Sequence, residues 1–259
     1  MKGLILKDVM SLKHQLKIFV FVLFGVVVTS ILFVLSARFG NLALAGREML
    51  RTEQASDIDV KNLATVALVL FMLLPIATVG DVVNVFQADG KAGFYRIAGA
   101  FPLPVSKRLL ARFLTIYALF GIGTLIDLVL ALVLSSLTDL IRFRDFCGII
   151  LSAASVMSIY SALVIFFCIL MGYGSQSYAQ IFSLLSMGLA LILCNLKYCG
   201  SLIKAITTDQ SGSLDMTIFW RPLDFIKEKF WILVLIAVIV SIVSYVVSLK
   251  VALRKRGVI

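Results

Sequence analysis

Histidine occurs once in 259 residues, at His14. The four cysteines, Cys147, Cys168, Cys194 and Cys199, show no CxxC spacing. That pattern leaves no metal site recognisable by ligand spacing. Nor does it leave a Ser/His/Asp or Cys/His set for nucleophilic catalysis, since His14 sits alone on the N-terminal flank. A phosphate-cradling loop of the form GxxxxGK[ST] is missing as well. The only Gly-Lys pair, Gly90-Lys91, is followed by Ala92 and has no upstream glycine at the required spacing. Charge is scarce, at 15% of residues, where soluble domains carry about 25%. Paired-aspartate chemistry inside a membrane would need two membrane aspartates, and only Asp127 qualifies. The sequence therefore predicts no catalytic residues, no metal and no cofactor held by this chain.

What is present is apolar surface. Hydrophobic residues make up 61% of the chain, and the mean hydropathy is +1.07. Long uninterrupted runs, rather than short alternating ones, predict an all-α membrane protein and exclude a β-barrel. About 20 apolar residues cross the hydrocarbon. Six runs reach that scale, at Ile18 to Ala37, Leu63 to Val83, Leu109 to Leu134, Phe146 to Met171, Ala179 to Leu196 and Phe230 to Leu249. They form one transmembrane domain over residues 1–259. Pro75 removes a backbone donor mid-run and predicts a kink in the second span. Free thiols are the preferred state of the cysteines, with a pairing among Cys147, Cys194 and Cys199 left open.

The segment Met1 to Lys17 mixes Leu4, Ile5, Met10 and Leu12 with Lys2, Lys7, Asp8, Lys13 and Lys17. Such a basic amphipathic stretch predicts a helix lying in the membrane interface before the first span. The run that follows is too long for a signal peptide, and no AxA site follows it. Net charge is +10, which in a membrane protein favours the anionic inner leaflet as partner over nucleic acid. Lys and Arg divide almost evenly between the two sides of a six-span layout, but the acids do not. With the N-terminus inside, only Asp8, Asp81 and Asp89 fall on the inner side, and the inner positives crowd the span ends. Both termini are therefore expected in the cytoplasm.

The stretch Asn84 to Phe113 is the most elaborated connection. It carries Lys91, Arg96, Lys107, Arg108 and Arg112 against Asp89 alone, and two of the four prolines. Phe94, Ile97, Ala98 and Phe101 fall at i, i+3, i+4 and i+7, one apolar stripe of a short helix. Asp89 is placed to cap its start, and Pro102 and Pro104 end it. Gly90, Gly93 and Gly99 each cost about 1 kcal/mol of helix propensity relative to alanine. So short a helix needs another surface to hold it, either a partner protein or the interface.

FYRIAGAFPLPVSKRLLARF, the opening MKGLILKD and the six-span layout resemble the permease subunits of type-2 ATP-binding-cassette (ABC) transporters. The small permeases of bacterial exporters of amphipathic peptides are the nearest likeness. It covers the whole chain in layout, and its specific part is residues 2–8 and 86–113. The resemblance implies a dimer of permease subunits, identical or different, in the bacterial plasma membrane, served by separate cytoplasmic ATPase subunits that bind ATP and Mg. It also implies that the second connection holds a coupling helix at about Asp89 to Phe101. Its contact residues would be Asp89, Lys91, Phe94, Tyr95, Arg96, Ile97 and Phe101. The chain departs from the family pattern at Gly90, where a second acid is expected, and at Phe94, where tryptophan is common.

Three residues are candidates for the path through the membrane. Asp127 is a carboxylate inside an apolar run, costing about 2.5–3.5 kcal/mol at mid-membrane, and is either functional or hydrogen-bonded for packing. Ser158 and Ala162, with Ala154, recur every four residues, the spacing of close helix packing in lipid. They line either a path or an ordinary seam. Beside the exporter stand two other readings: an ion-coupled secondary transporter using Asp127, and a non-transporting membrane sensor or immunity protein. The first is expected to show an internal repeat, and none is evident between the two halves.

Overall fold

A computed structural model of the chain describes residues 2–38, 73–74, 104–137, 142–172, 175–194 and 217–254. Every element among them is helical: α1 (Lys2–Ser11), α2 (Lys13–Arg38), α3 (Val105–Leu137), α4 (Phe143–Met171), α5 (Gln176–Cys194) and α6 (Thr217–Arg254). Three are long and apolar enough to cross a membrane: α3, α4 and the Lys229–Arg254 part of α6. A fourth is added if the bent pair formed by α1 and α2 counts as one span. The protein is thus a helical membrane protein. The span expected at Leu63 to Val83, with Pro75, lies outside the described residues except for Leu73 and Leu74, and Cys199 lies outside them too.

Helix ends follow local chemistry. Pro104 offers its carbonyl to the amides of Lys107 and Arg108 at 3.0 and 3.3 Å, so α3 starts directly after it. The expected loop therefore ends earlier than the hydropathy implied: Lys107, Arg108 and Arg112 stand on α3. Arg142, in an extended conformation, caps α4 through its carbonyl, and Asp145 in the first turn suits the positive helix end. Gly172 closes α4 at φ 97°, a conformation that glycine adopts without steric cost, and its amide bonds the Cys168 carbonyl at 2.9 Å. Between the fifth and sixth apolar runs, Lys197 to Lys229 reads in sequence as a connection without an apolar run. Its last part is helical from Thr217, with a break at Lys229 (φ −118°, ψ 22°) before the apolar part of α6.

α4 is the hub. It packs on α3, α5 and α6, and its most extensive partner is α6. The shared core includes Phe113, Ile116, Phe146, Ile150, Val164, Ile165 and Ile169. On α3 the buried residues Leu109, Phe113, Ile116, Phe120, Gly123, Asp127, Ala131 and Leu134 follow a three-and-four spacing, and near the start of the helix Ala111 and Thr115 widen the buried face. The opposite face, with Leu114, Ile122, Leu125 and Val129, is equally apolar but exposed. That is the pattern of a helix with protein on one side and lipid on the other.

α1 and α2 meet at Leu12 with a bend of 65°. The face α1 turns inward is not its most apolar one. Asp8 and Leu12 are both 2% exposed, whereas Leu6 and Met10 point outward. An amphipathic helix with a charged residue inside and apolar residues outside fits a place between protein and bilayer.

Candidate functional site

A groove of about 470 Å³ lies where α3, α4 and α6 come together. Leu110, Phe113 and Tyr117 form one wall, Ala154, Ser155 and Ser158 a second, and Ala237, Ser241 and Tyr245 a third. The size is that of a small-molecule site. No charged side chain is among the described residues that line it.

Its polar centre is a junction of three helices. The Tyr117 hydroxyl lies 2.7 Å from Ser241 Oγ and 3.3 Å from the Ser158 carbonyl oxygen. Ser241 gives its own proton to the Ala237 carbonyl at 2.6 Å, so it accepts from Tyr117. Phe113 stacks edge-on against Tyr245 at 5.4 Å between ring centres, which holds α3 to α6 one turn away. Small residues let the backbones approach. Ala237, Ser241, Ser244, Ser248 and Ala252 recur along α6, and the Ser244 hydroxyl donates to the Ala162 carbonyl at 2.7 Å.

Of the residues singled out for a path, Ser158 lines the groove. Ala162 is fully buried in the seam between α4 and α6. Asp127 is also fully buried but does not line the groove, and neither carboxyl oxygen has a hydrogen-bond partner. Tyr117, Ser241 and Tyr245 were not anticipated. The available signal was a tyrosine within an apolar run, since a buried phenol seeks a partner. Cys147 and Cys168 are free thiols. Among the described residues, no three His, Cys, Asp or Glu converge.

No family model, curated protein or solved structure matches the chain. Function must be argued from geometry and residues.

A second feature sits where α3 begins. The Asp8 carboxylate is 3.5 Å from Arg112 Nε and 3.2 Å from Lys7 Nζ, with the Asp8 side chain 3% exposed. Leu12 and Leu109 are buried in the core cluster beside this pair. Burial, and then the nearby Arg112 charge, push the Lys7 ammonium below its usual 10.5, against the opposing pull of Asp8. The carboxylate is shared, with Lys7 on one oxygen and Arg112 on the other, and Lys7 keeps its charge at the cost of partial burial beside a second cation. Asp89, Lys91, Phe94, Tyr95, Arg96, Ile97 and Phe101 lie outside the described residues.

Among the described residues, the groove offers an apolar wall with one hydroxyl cluster and no charged side chain.

Proposed function

We propose that this chain is the permease subunit of an ATP-driven exporter of the type-2 ABC class, carrying an apolar or amphipathic substrate. One observation weighs most. The two stretches that carry the family resemblance, residues 2–8 and 86–113, are far apart in sequence, yet Asp8 of the first pairs with Arg112 of the second. A permease driven from outside the membrane needs such a linkage. Force applied to the loop before α3 must reach the spans, and a buried ion pair with a packed Leu12 fixes α1 and the start of α3 as one body.

On this reading α1 lies at the cytoplasmic interface, with Leu6 and Met10 toward lipid. The chain has six spans with both ends inside the cell, and two permease copies assemble in the bacterial plasma membrane. The segment Asp89 to Phe101 is the coupling helix, gripped by a separate ATPase that binds ATP and Mg. The uncharged groove between α3, α4 and α6 is a seat for the apolar part of the cargo.

The test is biochemical. The detergent-solubilised protein from its native host is expected to bring down an ATPase subunit, and Phe94→Ala with Arg96→Ala is expected to release it and abolish transport. A preparation free of any ATPase, together with full activity in the double variant, would sink the exporter reading.

A further inference from the structure

The exporter reading makes no use of Asp127, and its surroundings demand an account. Its side chain is fully buried, and neither carboxyl oxygen has a hydrogen-bond partner. The contacts of Tyr117 set the register of its neighbours. Ser158 of α4 and Ser241 of α6 lie level with Tyr117; the pairs Phe113–Tyr245 and Ala162–Ser244 then make α6 antiparallel to α3 and parallel to α4, so both helices run antiparallel to α3. Ten residues further along α3, about 15 Å at 1.5 Å per residue, Asp127 is level with the start of α4 near Gly148 and the start of the straight part of α6 near Phe230. α3 itself carries no other charge beyond Arg112. α4 carries Arg142, Arg144 and Asp145 at its outset and none from Phe146 to Met171. α6 carries Arg221, Asp224, Lys227, Glu228 and Lys229 up to its break and no charge from Phe230 to Leu249, and α2 none from Ile18 to Ala37. The remaining titratable groups on these faces are the Cys147 and Cys168 thiols and the phenols of Tyr117, Tyr160 and Tyr245. Among the described residues, no cation lies at hydrogen-bonding distance from the carboxyl.

An ionised carboxylate in such a place has neither solvent, donor nor counter-charge, and a group so buried neutralises instead. The neutral acid carries only the penalty of an unmatched O–H, about 1–3 kcal/mol. A second unmatched polar atom, the buried Ser152 Oγ, lies one turn along α4 from Gly148. Each unmatched buried polar group calls for an explanation; among the described residues Ser30, Ser161 and Ser248 also hold one, and Asp127 differs from these hydroxyls in carrying two such oxygens on an ionisable group.

We propose that Asp127 is a proton-binding site of this chain, loaded in the conformation described here, which exchanges its proton only when α3 parts from α4 and α6. Binding is simple protonation: the carboxylate takes one proton and returns the same proton on release.

Infrared spectroscopy of the full-length protein in lipid vesicles tests it at neutral pH. Exposed or paired acids are ionised there and give no band from a protonated carboxyl. The wild type is expected to show one such band, which disappears in Asp127→Asn and moves in Asp127→Glu. A wild-type spectrum without the band overturns the proposal, whatever the variants do. So does a band that persists in Asp127→Asn. Should Asp127→Asn fail to fold, an unmoved band in Asp127→Glu overturns it equally.

Discussion

Asp8 and Asp127 sit toward opposite ends of α3 and are buried to nearly the same degree, at 2% and 0% exposed. Their surroundings differ completely. Asp8 faces Arg112 and Lys7, so its charge is matched and it ties α1 to α3. Asp127 faces apolar helices and has no donor. Burial alone therefore says little about what an acid does. A matched carboxylate acts as a mechanical joint, and an unmatched one must give up its charge.

The joint is where substitution should cost most. Asp8→Ala leaves Arg112 buried without its acid, and breaking a buried pair from one side costs about 3–5 kcal/mol. We expect a large fall in thermal unfolding temperature in detergent and faster proteolysis at the bend after Ser11. Replacing both partners, Asp8→Leu with Arg112→Leu, is expected to recover most of that loss, because the buried Arg112 charge goes with the acid and only the more exposed Lys7 loses its partner. If Asp8→Ala unfolds like the wild type, the contrast between the two acids collapses.

Tyr117 is an intermediate case, a polar group within the bundle that is matched but uncharged. Tyr117→Phe deletes the bond to Ser241 and keeps the ring against Phe113. Hydrogen bonds between membrane helices average about 0.6 kcal/mol, so the expected loss is of that order, well below that of Asp8→Ala. Unfolding measurements on Tyr117→Phe, Ser241→Ala and the double variant separate the pair's own contribution from the rest. A loss equal to that of Asp8→Ala would mean that charge is not what distinguishes the joint.

Hydropathy made the spanning helices α3, α4 and the second part of α6 legible in approximate place, because about 20 apolar residues have few other uses. It could not say which face of α3 meets protein. Lipid is as apolar as Leu or Phe, so Ile122 and Leu125 look like Ile116 and Phe120 in sequence while pointing the opposite way. The four-residue recurrence of Ala154, Ser158 and Ala162 was visible, and its spacing implied close packing. That α6 is the partner was not, since its own serines, Ser241, Ser244 and Ser248, are read as a ladder only once the two helices face each other. Asp8 looked like one acid in a basic flank. Its partner Arg112 lies far along the chain, and no local pattern links them.

Lys7 sharpens the comparison by direction rather than size. Its folded pKa is lowered, so at neutral pH the docked α1 holds a charged amine that prefers the undocked state. The sign follows from linkage: the undocked chain binds the proton more tightly, so docking strengthens as pH rises through the lowered value, and the penalty is gone above 10.5. Lys7→Met is expected to slow proteolysis at the bend at neutral pH and to abolish that alkaline gain. Neighbouring substitutions would then act oppositely, Lys7→Met tightening α1 and Asp8→Ala loosening it. A looser α1 in Lys7→Met would show that Asp8 depends on both cations.

The smallest effect is expected at the most buried acid. Asp127→Asn exchanges a neutral carboxylic acid for a neutral amide of the same shape, and both leave polar atoms unmatched. Stability at neutral pH should therefore stay close to that of the wild type. The same change at Asp8 removes the charge that Arg112 requires, and hydrogen bonds to charged groups contribute about 1.5–3 kcal/mol. Parallel unfolding of Asp8→Asn and Asp127→Asn in one detergent makes the test internal, because both variants lose one carboxyl oxygen and gain one amide. A marked gain in stability for Asp127→Asn would mean that the wild-type carboxyl is ionised and strained, and a marked loss that it holds a partner through its charge. Equal behaviour of the two variants would remove the distinction between joint and proton site altogether.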